Sequence, residues 1–426
     1  MEHLLFAGYL ILFAWLITKI NFFTRSGLTA AQLIILFLLK VMAGIFYGWI
    51  GVYYGEMAQM MDTWAYHYAS IQEAHLLQQN PQQFFTGLFQ NDYHDYGRFL
   101  SSENSWWNDL HSNFLIKIFA LFQLLSFGNY YINVIFYSFI TLFGPIAVYR
   151  IMILEFPAKK IVVLLATFLV PSFLYWTSGI HKDGLIFLGL ALITFHFYFG
   201  LRKGFTWYGI VTIVLGLLVI LVLRNYLLLI LVPALIAWWL AEQLRFKPLL
   251  TFGVVYASFI FLFFSARHIH SGLDFPKAVV EKQQAFLKLK GGSFVPVREI
   301  EPNFLSFIIN APQALSLTVL RPYPSDVKHL LSLAAAVEVA LLLLLFLTFL
   351  VFFRHYGAPI DPFLLFCLFF SLSVLLTIGY TVNFLGAIVR YRSIILPFLV
   401  VPLAAHIDWN RIGAIFLGEI KTKDNI

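Results

Sequence analysis

Long apolar segments alternate with short polar gaps along almost the whole chain. A transmembrane helix needs about 20 mostly apolar residues to cross the hydrocarbon core of a bilayer. The pattern therefore predicts an all-α, polytopic integral membrane protein, with residues 1–426 forming a single transmembrane domain. About eleven transmembrane helices are predicted, at residues 3–21, 30–51, 130–150, 160–178, 184–200, 206–223, 226–241, 249–265, 329–353, 361–379 and 393–409.

Two long connections break this alternation, at residues 52–129 and 266–328. The first contains another apolar stretch, residues 111–127, which carries Lys117. We interpret this stretch as an amphipathic helix lying in the membrane interface. A twelfth span is the alternative, but it would invert the charge alternation of the gaps on either side. Connections of this length are more often functional than simple links.

Composition agrees with a membrane location, since 61% of the residues are hydrophobic and only 12% are charged. An ordinary soluble domain is roughly half apolar and a quarter charged. The net charge of +7 gives no reason to expect a nucleic-acid partner, because the basic residues lie in gaps between apolar segments. By the positive-inside rule, the side that carries most of them is cytoplasmic. This puts the N-terminus and both long connections outside and the C-terminus inside.

A smaller set of cations falls on the predicted outer side, where the positive-inside rule does not explain them. Any one of them could extend to lipid headgroups. Five cations at four outer helix junctions instead favour one shared anionic ligand, and a lipid phosphate is the anion expected at that depth. The five are Lys182, Arg224, Arg321, Arg390 and Arg392.

Lys182 belongs to a tight polar turn, IHKDG, between two apolar segments. His181 and Asp183 flank it on either side. One interpretation is a turn in which Asp183 stabilises the N-terminus of the next helix. The other is a binding site at the outer surface formed by all three side chains.

The first long connection also contains an acidic candidate, Asp62, at the start of the aromatic-rich stretch DTWAYHYASIQEAHLL. Helical spacing puts Tyr66 and Glu73 on the same face as Asp62. Asp62 is either an N-cap on an interfacial helix or a general base that deprotonates a hydroxyl while a phosphate leaves. No cofactor is predicted, although the acidic connection leaves a divalent metal open.

These elements resemble the GT-C superfamily of polyprenyl-phosphate-sugar glycosyltransferases, which includes protein O-mannosyltransferases and lipid A aminoarabinose transferases. The likeness lies in a span, an outer connection that begins with an acid and an aromatic-rich helix, and a second interfacial helix. The stretch PSFLYWTSGIHKDGL resembles the family's mid-chain turn, and RYRSIILPFL is similar to its arginine-and-proline pattern. The resemblance covers residues 30–200 and 380–400.

In that family an acid of the first outer loop is the catalytic base, and basic residues of the outer face bind the lipid phosphate. The resemblance assigns the base to Asp62 and phosphate binding to Arg390 and Arg392, with Lys182 contributing. A second acid does not follow Asp62, so Glu56 is a rival candidate for the base.

These observations predict a multi-pass glycosyltransferase of the bacterial cytoplasmic membrane that serves polysaccharide biosynthesis. It would transfer a sugar from a polyprenyl-phosphate donor to a glycan or lipid-linked acceptor on the outer face. One alternative is a polymerase or ligase acting on polyprenyl-diphosphate-linked repeat units. The third is a lipid or glycan transporter, which would carry polar residues at mid-membrane depth. Lys40, His196 and Glu338 are the main polar residues there.

Overall fold

The computed structural model describes residues 2–53, 58–90, 106–244, 246–353 and 361–416. Helices account for 84% of the described residues, and no strand occurs in these ranges. The helices are α1 Glu2–Ile17, α2 Asn21–Thr24, α3 Ala30–Tyr53, α4 Ala58–Gln79, α5 Pro81–Thr86, α6 Trp106–Ser126, α7 Tyr130–Glu155, α8 Lys160–Phe168, α9 Pro171–Ser178, α10 Lys182–Lys203, α11 Trp207–Gln243, α12 Pro248–Ser265, α13 Phe275–Lys288, α14 Phe304–Val319, α15 Leu330–Phe352, α16 Pro362–Thr381, α17 Leu385–Ser393, α18 Leu396–Ala405 and α19 Trp409–Phe416.

Within the described ranges, seven helices are long and apolar enough to cross a membrane, or up to nine if each of two bent helix pairs forms one span. This confirms a helical, membrane-type architecture. The first predicted span is shorter than expected, since α1 has 16 residues. The bent pairs are residues 157–168 with α9, at 54°, and α17 with α18, at 66°.

Helix α11 reverses direction at Arg224, whose backbone angles are non-helical. Before this point the Tyr208 ring lies against His196 of α10, with 5.4 Å between ring centroids. After it, the Trp238 ring lies 5.2 Å from that of Phe197, also on α10. A straight helix of 37 residues would be about 55 Å long, so both halves must run along α10. The turn falls between the predicted segments 206–223 and 226–241.

The two long connections are themselves largely helical. Residues 52–129 include α4, α5 and α6, and residues 266–328 include α13 and α14. The predicted interfacial segment 111–127 belongs to α6, which packs along α4. Ser70 and Gln123 join the two helices through a 2.7 Å hydrogen bond, and a 2.9 Å ion pair joins Glu73 and Lys117.

Close backbone packing holds the turn between α9 and α10 against α3. A side chain added at Gly44 of α3 would lie 2.6 Å from the carbonyl oxygen of Ser178. One added at Gly179 would overlap the ring of Tyr47, which is fully buried. Small residues allow helices to approach this closely. Backbone packing therefore holds the polar turn after α9 in place, independently of the contacts that its polar side chains make.

Gly44→Ala should lower the thermal midpoint of the detergent-purified protein, because overpacking at such a contact costs about 1–3 kcal/mol. Gly253→Ala in α12 is the matched control, since a side chain added at Gly253 meets nothing within 4 Å. The control should keep or slightly raise the midpoint, because alanine is the better helix former. Equal midpoints for the two variants would contradict this packing account.

Candidate functional site

Polar and charged residues from five elements meet beside the turn that connects α9 to α10. His181 lies in the turn, and Asp183 lies in the first turn of α10. Arg224 lies at the reversal of α11, Arg390 on α17 and Asp62 on α4. Four of these side chains are largely buried, and Asp62 is partly exposed. Residues separated by more than 300 positions thus form one polar cluster.

Asp183 is the centre of this cluster and is completely buried. Its Oδ1 accepts a hydrogen bond from Arg224 Nη2 at 2.7 Å, and its Oδ2 accepts one from Arg390 Nε, also at 2.7 Å. Burying an ion is costly unless its charge and hydrogen-bonding groups are matched. The carboxylate of Asp183 therefore fixes both guanidinium groups, joining α10, α11 and α17.

Asp62 lies on the accessible side of the cluster, and 47% of its side chain is exposed. Its Oδ2 is 3.4 Å from His181 Nε2 and 3.7 Å from Arg390 Nη1. Burial raises the pKa of Asp62, but the hydrogen bond with His181 and the nearby positive charges outweigh burial and hold that pKa below its usual value. Asp62 is therefore an ionised carboxylate at neutral pH that a substrate can reach.

His181 lies between the two carboxylates, with Nδ1 3.2 Å from Asp183 Oδ2. The Nη2 atom of Arg390 is 2.6 Å from both ring nitrogens. Burial and the charge of Arg390 lower the pKa of His181 more than the carboxylates raise it. The imidazole is therefore neutral at neutral pH and does not add to the positive charge. Tyr66 packs against it, with 5.6 Å between ring centroids.

A cavity of about 170 Å³ adjoins the cluster on the side of α11. Lys182 and Arg224 line it, together with Lys282 of α13. Arg224 Nη1 is buried and has no hydrogen-bond partner within the described ranges. A guanidinium group and two lysines lining one cavity are suited to an anion.

His111 of α6 also lines this cavity, and its Nε2 is 3.1 Å from Lys182 Nζ. Burial and the charges of nearby cations, Lys182 first, hold the pKa of His111 well below its usual value. The ring is therefore neutral and can accept a hydrogen bond from the lysine. This contact directs the ammonium group of Lys182 toward the cavity wall and leaves its other donors for a ligand.

Two predicted phosphate-binding residues have other partners. Arg321 Nη1 pairs with Asp326 at 3.1 Å. Arg392 Nη1 donates to the carbonyl oxygens of Thr318 and Arg321, at 2.7 and 2.8 Å. The contacts of Arg392 thus attach α17 to the C-terminal end of α14. Glu56, the rival base, lies outside the described residues.

Some site residues could not be recognised in the sequence. His111 and Lys282 come from the two long connections, where nothing separates them from other polar residues. Trp176 faces Arg390, with 5.4 Å from the guanidinium carbon to the ring centroid. Among the described residues, no three His, Cys, Asp or Glu side chains form a metal-binding group.

No family model, curated protein or solved structure matches this chain. The resemblance to the GT-C superfamily is therefore a prediction from the sequence. Any function must be argued from the residues of the site.

Asp183→Asn should destabilise the protein by about 3–5 kcal/mol, because two buried arginines lose their shared counter-charge. The thermal midpoint in detergent measures this. Asp274→Asn is the control, since Asp274 caps α13 through Lys277 N and asparagine caps a helix equally well. A variant at Asp183 as stable as this control would show that the ion pairs do not hold the cluster together.

Proposed function

We propose that this protein is a membrane glycosyltransferase that moves a sugar from a polyprenyl-phosphate donor to a glycan or lipid-linked acceptor. One observation carries the proposal. The accessible carboxylate of Asp62 contacts Arg390 of the buried cluster, and that cluster borders a cavity lined by Arg224 and Lys182. A base beside an anion site is what sugar transfer from a lipid phosphate requires.

In the proposed reaction, the acceptor hydroxyl attacks the anomeric carbon of the donor sugar. A new carbon–oxygen bond forms there while the bond to the phosphate oxygen breaks, and the lipid phosphate leaves with that electron pair. Asp62 takes the hydroxyl proton. Glycosyl transfer passes through an oxocarbenium-like transition state, so the hydroxyl becomes acidic late and a weak carboxylate base suffices. The negative charge of Asp62 would also stabilise the positive charge that develops on the sugar in the transition state.

The stabilisation that the cations provide would become stronger during the reaction. The donor phosphate is a diester with one negative charge, whereas the departing lipid phosphate is a monoester with a second charge developing. Lys182, Arg224 and Lys282 at the cavity would stabilise that additional charge. Only the interaction that becomes stronger in the transition state raises the rate. Arg390, which Asp183 holds in place, would orient the donor phosphate near Asp62.

The proposed orientation follows from the opposite end of the helical bundle. There Arg150 donates to the carbonyl of Phe22, and Arg202 pairs with Glu155 and Asp361. If that end is cytoplasmic, the site faces outward, the N-terminus is outside and the C-terminus is inside. The proposed orientation requires an odd number of spans, and we propose about eleven, counting both halves of α11, in the bacterial cytoplasmic membrane.

Asp62→Asn should lower sugar transfer about 100-fold or more, because a positioned general base contributes roughly 10² to 10⁴. The measurement is release of lipid phosphate from a labelled polyprenyl-phosphate sugar by purified protein. Asp408→Asn is the control at the other end of the bundle, where Asp408 caps α19 through Arg411 N. This control should keep wild-type activity.

Three results would contradict the proposal. Full activity of the Asp62→Asn variant would show that Asp62 is not the base. Cleavage of a polyprenyl-diphosphate glycan, with no reaction of the monophosphate donor, would indicate a repeat-unit polymerase or ligase. Movement of the intact lipid across proteoliposome membranes without bond cleavage would indicate a transporter.

A further inference from the structure

Helix α9 is a short half-helix of eight residues, Pro171–Ser178, that forms the second part of a broken candidate span. A helix break leaves backbone N–H groups without partners at the new N-terminus and carbonyl groups without partners at the C-terminus. In an apolar environment each such group costs several kcal/mol unless another group satisfies it. The chain's own N-cap, Val170, offers no side-chain hydrogen bond. The partners must come from elsewhere.

A carboxylate from another helix satisfies the N-terminus of α9. Glu338 of α15 is 3% exposed, and its Oε2 accepts a hydrogen bond from Ser172 N at 2.5 Å. Pro171 has no N–H group, so Ser172 provides the first donor of the helix. The negative charge lies at the end of the helix where the macrodipole is positive.

An ammonium group satisfies the C-terminus of the same half-helix. Lys40 of α3 is also 3% exposed, and its Nζ donates to the carbonyl oxygen of Thr177 at 2.7 Å. A second contact, 3.3 Å, reaches the hydroxyl of Ser178. This donor lies at the end of the helix where the carbonyl oxygens are free and the macrodipole is negative. Both ends of α9 are therefore matched by a buried polar side chain.

A charged residue near the middle of a membrane helix is costly to insert. A continuous helix in place of the broken one would need neither Glu338 nor Lys40. The break has a direct consequence for the site, because α9 leads into the turn that holds His181. It also carries Trp176, whose ring faces Arg390.

We propose that Glu338 and Lys40 are positioning residues: they hold α9 from its two ends and thereby set the location of His181, Lys182 and Asp183 relative to Asp62. Neither residue touches the cluster itself. Their buried charge is then explained by backbone contacts, rather than by a transport path. The effect on catalysis rests on the proposed glycosyltransferase activity, whereas the effect on the turn does not.

The first test compares Glu338→Ala with Glu338→Gln. Glutamine keeps an oxygen that accepts the hydrogen bond from Ser172 N, whereas alanine has no such acceptor. Hydrogen–deuterium exchange should increase in peptides that cover residues 171–185 of the alanine variant and stay near wild type in the glutamine variant. Peptides from α16 should be unchanged in both. Glu242→Ala, at the end of α11, is the control for loss of a carboxylate.

The second test applies the same comparison to Lys40. Lys40→Met removes the donor with little change of volume, and Lys40→Arg keeps a cation. Methionine should increase exchange at residues 171–185, and arginine should restore most of the protection. Lys19→Met is the control, since Lys19 is exposed.

Transfer kinetics provide the functional measurement. A turn displaced by about 1 Å can lower a rate up to about 100-fold, so kcat of Glu338→Ala and of Lys40→Met should fall about 10- to 100-fold. The KM for the donor should rise as well, because Lys182 of that turn lines the cavity and Asp183 holds Arg224. Glu338→Gln should retain kcat within about threefold of wild type, as expected when the hydrogen bond matters most.

The outcomes separate the two proposals. Increased exchange throughout the protein in the alanine and methionine variants would show a general stabilising role and overturn the positioning proposal. Unchanged exchange at residues 171–185 with unchanged kcat would overturn it as well. If wild-type protein transfers no sugar but exchange changes as expected, the glycosyltransferase proposal fails and the positioning of the turn stands.

Discussion

The ion pairs that Asp183 makes with Arg224 and Arg390 are the interaction on which the site depends. They connect the start of α10, the reversal of α11 and the helix α17 through one buried carboxylate. Removing any one of the three groups would leave a buried charge uncompensated, which is strongly unfavourable. The same contact that stabilises the fold therefore fixes two arginines at one end of the bundle.

The charge balance around this contact gives the site its chemistry. Asp183 is shared by two arginines, so these three groups together have a net charge of one positive unit. Arg224 keeps one nitrogen without a partner among the described residues. Lys182 and Lys282 also line the cavity. Asp62 lies at the accessible edge and is partly balanced by Arg390. One region thus attracts an anion, and the neighbouring carboxylate can accept a proton.

Much of this arrangement follows from local sequence patterns. Apolar runs indicate membrane helices, and the polar pair Arg224 and Asn225 between two of them marks the reversal of α11. The proposed outer position of Lys182 and Arg390 rests on charge asymmetry along the chain. These features depend on near neighbours in the sequence, so the pattern of residues is enough to predict them.

Other features depend on contacts between distant parts of the chain. Glu338 and Ser172 are 166 positions apart, and Lys40 and Thr177 are 137 apart, so their role at the ends of α9 has no local signal. The same holds for Arg392, whose guanidinium binds carbonyl oxygens of the segment after α14. Nothing near Lys282 in the sequence distinguishes it from other lysines of its connection. Such residues can be interpreted only when the helices are placed together.

In the proposed reaction, the cavity lined by Arg224 and Lys182 binds the phosphate of a polyprenyl lipid. The most direct measurement is an electron cryomicroscopy map of the protein in nanodiscs containing a polyprenyl phosphate. We expect phosphate density in the cavity, within about 3 Å of donor nitrogens of Arg224 and Lys182. Phosphate density at the opposite end of the bundle, near Arg150 and Arg202, with the cavity empty, would contradict it.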